Sequence, residues 1–373
     1  MKMLRKKLAI RYSICILCIS LFMSILCLAR GQDFPVGSSE TISTFAGFQF
    51  YSRTLKGKEE EKVQQWVLPV SLAGRIGENL KFRVYQTMSH AQIEDGPSLS
   101  GLGNTKIRGS YVLLENALVT YLGLSIPVAS VEPTTETVPL SNLLYTDVLN
   151  FGVNRLTEGF DLDLGFAFAQ PFGKLSFGLG MGYLIRGSYD RLSQGGTYNP
   201  GNPISLSAGI NSFSRLVNLG FKVIYVHYGD DKIEAGDSFE NSDSLSFRIS
   251  IKPRFKPIAI RLLLADTMKF GDDDLDEETT INNFFKNRLS GGLFLAYPLL
   301  GDTITLKAQA VVKMLLDDSG TNAKSASFGG GFRILLTDNL KLDFSTNIIN
   351  GDMEAGETNI SGFDLSAMVG YGF

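Results

Sequence analysis

The chain has 373 residues, 44% apolar and 20% charged, with a formal net charge of −3. That balance excludes a disordered chain, which would carry fewer apolar and more charged residues. Residues 1–31 hold six basic residues and no acid, so the remainder carries 29 basic against 38 acidic residues, a net −9 that argues against a nucleic-acid partner.

The first residues read as an export leader. Lys2, Arg5, Lys6, Lys7 and Arg11 form a basic stretch, Ile14 to Leu28 an apolar one, and Ala29 and Gly31 a small-x-small cleavage pattern. This divides the chain into a signal peptide, 1–31, and a second unit, 32–373. An uncleaved membrane anchor is the competing reading, because the apolar run is nearly long enough to span a bilayer. All three cysteines, Cys15, Cys18 and Cys27, fall in the leader, as suits a protein that crosses an oxidising compartment without disulfides.

After residue 32 there is no apolar run long enough for a spanning helix, and period-two alternation recurs throughout. Leu80, Phe82 and Val84 alternate with Lys81, Arg83 and Tyr85; Phe160 to Phe168 alternates in the same way. Short turns are expected at Gly77-Glu78-Asn79, Glu115-Asn116, Pro171-Phe172-Gly173, Asn211-Ser212, Pro253 to Lys256, Leu300-Gly301-Asp302 and Thr337-Asp338-Asn339. Longer polar stretches lie between them, near 53–62, 93–103, 129–157, 188–203, 229–243, 271–287, 317–324 and 351–359. Alternating short and long connections are the pattern of an all-β, antiparallel transmembrane β-barrel of a bacterial outer membrane, with short periplasmic turns and long outer loops. Seven turns and eight loops join sixteen strands, with fourteen the alternative if the first strand, about 41–52, does not form. A spanning protein without helices must close its sheet, since lipid cannot satisfy an open edge.

Giving the more apolar parity of each strand to lipid leaves a basic interior. Lys106, Arg108, Arg186, Lys222, Arg248 and Arg261 are the candidates for selectivity, alongside Lys81, Arg83, Lys252, Lys307, Arg333 and Lys341, against the acids Asp161, Asp163, Asp343 and Asp364. Rings of Arg and Lys favour anions in a low-dielectric passage; solvated rim charges are the plainer reading of those near the turns. In the longest loop Pro133 and Pro139 are expected to keep the first half extended. Ser141 is then a candidate cap for helically spaced Leu143, Leu144, Asp147 and Val148. Such an apolar segment either folds into the lumen or packs on the rim. Acids cluster in outer loops 230–243 and 272–278; the spacing of Asp272, Asp274 and Asp276 hints at a calcium loop, but Glu277 stands where that motif needs glycine. Neither a metal nor a cofactor is therefore expected. Gly178, Gly180 and Gly182 share one parity and make a smooth inner wall. His90 and His227 sit in no nucleophile or metal motif, so no catalytic residue is expected.

The last strand alternates cleanly from Leu365 to Phe373. Tyr371 and terminal Phe373 resemble the signal read by the barrel assembly machinery of the outer membrane.

Gly101 to Val128 reads GLGNTKIRGSYVLLENALVTYLGLSIPV. With Gly101-Leu102-Gly103-Asn104 before an alternating strand and Ser125-Ile126-Pro127 ending the next, it resembles a hairpin of the outer-membrane channels for meta-pathway phenol degradation, which are similar to long-chain fatty acid transporters. Asn104 stands in place of the usual acid, and no glycine follows Pro127. The resemblance implies uptake of small, partly apolar compounds. About nine residues separate position 32 from the first strand, which leaves no room for an N-terminal hatch, so a plug would have to come from loop 129–157. Together these readings describe a passive channel for small solutes, either organic anions or hydrophobic and aromatic compounds, that touches outer-membrane lipid. A non-transporting structural or adhesive barrel is the alternative.

Overall fold

The computed structural model describes residues 42–373 apart from 58–59, 115–116, 129–133, 155–158, 191–196, 234–237, 240–241, 271–285, 301–302, 318–319 and 354–355. The leader, Asp272 to Glu278 and the turn at Glu115-Asn116 lie outside the described residues.

Alternating segments pair with their chain neighbours into one closed sheet of sixteen antiparallel strands. These are β1 (Ile42–Lys56), β2 (Glu60–Ile76), β3 (Leu80–Ile93), β4 (Ser98–Leu102 and Thr105–Leu113), β5 (Leu118–Ile126), β6 (Asp161–Phe172), β7 (Leu175–Arg186) and β8 (Ile204–Phe213). They continue as β9 (Val217–His227), β10 (Asp243–Pro253), β11 (Ala259–Phe270), β12 (Asn287–Leu299), β13 (Ile304–Asp317), β14 (Gly320–Leu335), β15 (Leu340–Met353) and β16 (Thr358–Gly372). Closure runs through the first strand: β1 pairs with β2 on one edge and along its length with β16 on the other, and the Phe373 N–H donates to Ile42 O at 2.7 Å.

Register decides which residues share a face. Phe166 stands opposite Met181 and Phe168 opposite Leu179, and all four are exposed. The other parity sets Ala167 against Gly180 and Ala169 against Gly178. A band of large exposed apolar side chains round a closed sheet is the surface that hydrocarbon requires, since closure leaves the wall no open edge. Inside β4 the parity switches at Gly103-Asn104, where the chain bulges. There the Asn104 side chain is buried and donates to Ser125 Oγ at 3.0 Å and Gly159 O at 3.1 Å.

Several strands run further than the polarity of their ends suggests. β1 continues to Lys56 and β2 begins at Glu60, so most of 53–62 is strand; the same holds for 317–324 and 351–359. The physical reason is that the ladder keeps its backbone hydrogen bonds above the lipid, where outward positions carry charge instead of apolar groups. Lys56 pairs with Glu60 at 3.5 Å, Lys62 with Glu94 at 3.2 Å and Lys324 with Asp352 at 3.3 Å. The turn expected at Asn211-Ser212 comes three residues later, at residues 214–216, because the Ser214 hydroxyl caps it by donating to Val217 O and accepting from Val217 N–H.

Outer loops also build a small sheet of their own from Tyr189–Asp190, Thr197–Asn199, Asp231–Ile233 and Ser238–Phe239. Asp231, one of the clustered acids, is buried there and accepts from the Gly201 N–H at 2.6 Å and from the Tyr198 hydroxyl.

Candidate functional site

The long connection between β5 and β6 carries helix α1 (Val138–Tyr145) and a single 3-10 turn (Asp147–Leu149), and it folds inside the barrel. Helix α1 starts four residues earlier than a Ser141 cap would place it. Pro139 sits in its first turn, where a missing N–H costs nothing, so this proline begins a helix and does not extend the chain. The helix ends at Thr146, whose backbone is extended, so Asp147 and Val148 belong to a separate turn. Leu140 and Leu144, four residues apart, share one face and are buried; Leu143 packs beside them, partly covered.

What buries the loop is the inner wall. Leu140, Leu144, Val148, Leu149, Phe151 and Val153 form one apolar cluster with Leu55, Val63, Val67, Ala91, Leu99, Leu315, Ala323 and Ile360, contributed by strands on one side of the barrel. Polar anchors finish the seat. Arg53 has no exposed surface and donates through Nε to Leu149 O at 2.6 Å and through Nη2 to Asn150 O at 3.4 Å. Its Nη1 lies 2.6 Å from Asp364 Oδ1, and its guanidinium stands 5.3 Å from the Phe151 ring centre. Gln65, also fully buried, accepts from Val153 N–H at 3.1 Å and donates to Val153 O at 2.7 Å, which copies the two bonds of a neighbouring strand.

On β12 and β13 the same loop meets two cations. Arg288 lies 2.6 Å from Asp147 Oδ2, and Lys313 Nζ lies 3.4 Å from Asp147 Oδ1 and 2.9 Å from Asn150 Oδ1. Partial burial opposes the charge on this loop carboxylate, yet Lys313 and Arg288 outweigh it and hold Asp147 below the usual range.

Between the loop and the opposite wall lies a cavity of about 680 Å³. Lys222, Arg248, Arg261, Arg288, Lys313 and Asp147 line it, together with small residues such as Gly178, Gly209 and Gly220. Lys222 stands directly opposite Arg248 in the ladder. Like charges so placed repel, and a pairing of this kind persists where an anion or solvent relieves it. Among the described residues no carboxylate pairs with Lys222, Arg248 or Arg261. A second cavity, about 500 Å³, lies nearer the short turns and is lined by Arg261, Lys307, Asp343, Phe294 and Gln309 among others. There Asp343 is shared between Lys307 and Arg333, the latter at 2.8 Å, so this carboxylate offsets one of the two charges.

The remaining candidates lie elsewhere. Arg186 stands opposite Asp161 at the outer end of β6 and β7. Lys106 and Arg108 are on β4 and line neither cavity; Arg108 stands 4.3 Å over the Tyr121 ring and opposite Arg83. The Tyr121 ring covers Gly165 and Gly182, whose missing side chains leave space for it. His90 stacks on Trp66 on the outer face, and His227 meets Asp243 at 2.9 Å near the outer rim. Tyr371 and Phe373 pack edge to face at 4.8 Å beside the seam.

Arg53, Gln65, Arg288 and Lys313 are absent from the sequence-derived set. Each acts on a loop far away in the chain (96 residues for Arg53, 88 for Gln65), and no local pattern marks such a contact.

No family model and no curated protein matches the chain. Among solved structures it is similar to OccK7 (OpdD) of Pseudomonas aeruginosa, at TM-score 0.43 and 11% identity over 90% of this chain and 99% of that one. It is also similar to the CymD monoaromatic hydrocarbon channel, at TM-score 0.43 and 11% identity over 89% and 88%. The anion-selective porin from Comamonas acidovorans gives TM-score 0.44 and 12% identity over 90% and 100%. Likeness this distant says nothing of what this barrel conducts.

Proposed function

We propose that the protein is a passive channel of a bacterial outer membrane, exported by its leader and inserted by the barrel assembly machinery, that admits small organic anions. One observation carries this reading: Lys222, Arg248 and Arg261 converge on a cavity of about 680 Å³, and among the described residues no carboxylate pairs with them. Solute moves down its gradient, so the protein's part is to set which solutes pass. The loop docked against the strands of one side narrows the lumen, and the surviving passage runs along the wall that bears these cations. Lumen charge of one sign raises the local concentration of the opposite ion, most strongly where the walls exclude water.

Glycine, alanine and valine between the cations leave room for an apolar body beside the charge. The resemblance of the Gly101 to Val128 hairpin to channels for phenol-degradation pathways points the same way. An aromatic carboxylate combines both features and is the solute class that fits best. A liposome-swelling panel of neutral sugars, aliphatic acids, aromatic acids and uncharged aromatics tests this. Faster swelling with acids than with sugars of equal size is expected; no swelling with any solute would instead favour a structural or adhesive barrel.

A further inference from the structure

The two cavities have two lining residues in common, Arg261 and Phe294. They stand directly opposite one another on β11 and β12, so ring and cation sit side by side where one chamber meets the next.

Phe294 takes its place there for a specific reason. Gly292, two residues earlier on the same inner face, has no side chain, and the ring lies across it. A Cβ built on Gly292 would stand 2.7 Å from Cε2 and 3.1 Å from Cζ of the ring. Leu263 and Val311, the cross-strand partners of Gly292, flank the seat. Glycine inside a strand weakens it, since it adds backbone entropy and packs nothing, and it often marks a close approach. At Gly292 the approach is that of an aromatic ring lying on the lumen wall.

We propose that Phe294 is a valve leaf between the two chambers, held back against the wall by the space at Gly292 and able to swing across the passage. The inference rests on the channel reading above. With the seat filled, the ring has to leave the wall, since its far end yields more readily than backbone does. Its remaining direction is the lumen, beside Arg261.

A double-mutant cycle tests this by single-channel recording on the full-length barrel, with heat-dependent gel migration reporting that each variant is folded. Gly292→Val is expected to lower conductance at least about twofold, because the displaced ring narrows the path. Phe294→Ala is expected to conduct as well as the wild type or better, and Gly292→Val/Phe294→Ala to regain at least wild-type conductance. The proposal is overturned if Gly292→Val conducts normally, which would make the glycine a packing feature alone. It is also overturned if the double variant stays as low as the single one, which would place the block in the valine or in a distorted wall. Should Gly292→Val fail to fold, Gly292→Ala serves, since its Cβ alone meets the ring. A wild-type barrel that does not conduct refutes the channel reading itself; a conducting barrel with a flat cycle refutes the valve alone.

Discussion

Replacing Arg53 with methionine removes the central anchor of the lumen loop while keeping an unbranched apolar side chain of similar reach. In the native barrel the Arg53 guanidinium has no exposed surface, lies 2.6 Å from Asp364, and bonds to Leu149 O and Asn150 O of the loop as well as to Ser52 O at 2.9 Å and Phe363 O at 3.3 Å. Taking one partner from a buried pair leaves the other charge unpaired, which costs about 3–5 kcal/mol. The sixteen-strand ladder does not depend on this residue's side chain, so the loss falls on loop docking. About 3 kcal/mol shifts the docked-to-undocked ratio by roughly a hundredfold. The assay pairs single-channel conductance with proteolysis of the loop in folded protein. Larger conductance, frequent transitions between levels and new cleavage between 138 and 154 are expected, and Arg53→Met/Asp364→Leu should recover much of the loss because no lone charge remains. Unchanged conductance and protection in Arg53→Met would refute the idea that this arginine holds the loop.

Other outcomes follow from the same geometry. Asp147 is held below the ordinary carboxylate range, so its contribution to docking is complete above about pH 4 and is lost as pH falls through its lowered value. The part of loop protection that Asp147 supplies is therefore expected to stay constant from pH 7 to about pH 4 and to decline only below that, and Asp147→Asn removes this part; a gap between wild type and Asp147→Asn that already narrows at pH 6 would contradict the assignment. Leu179→Arg puts a charge on the exposed outer face at a position 61% exposed and opposite Phe168, at a cost of about 2–4 kcal/mol near the bilayer middle. Refolding yield into lipid vesicles should drop for that variant but not for Ser176→Arg on the inner wall; equal losses would show that the faces are misassigned. Removing Phe373 takes away its edge contact with Tyr371 and its N–H bond to Ile42 O at the seam, so less heat-modifiable barrel should reach the membrane; an undiminished yield would argue against a role in assembly.

Much of the fold is written locally. Alternation such as Phe160 to Phe168 marks a strand and also its lipid side, because one residue's parity fixes the whole strand. The inward placement of Lys222, Arg248 and Arg261 followed from that rule without any knowledge of partners. Strand ends were less legible: at Arg53 to Lys62 the outward positions change from apolar to charged while the ladder continues, and polarity alone reads as loop. The loop's interior position had only a partial signal. Leu144 and Val148 were too apolar for water, yet the choice between lumen and rim rests on Arg53, Gln65, Arg288 and Lys313, residues scattered over four strands. Lys313 illustrates the difficulty, since Val311-Val312-Lys313-Met314-Leu315 is apolar on both parities and reveals nothing about a partner 166 residues away.

The central claim is a passage whose charge selectivity comes from unneutralised cations on one wall. The reversal potential of the wild-type barrel in a planar bilayer, under a salt gradient, measures it directly. Preference for the anion is expected, reduced or reversed when Lys222 and Arg248 are both changed to glutamate. A cation-selective wild type, or selectivity that ignores those two residues, would contradict the account.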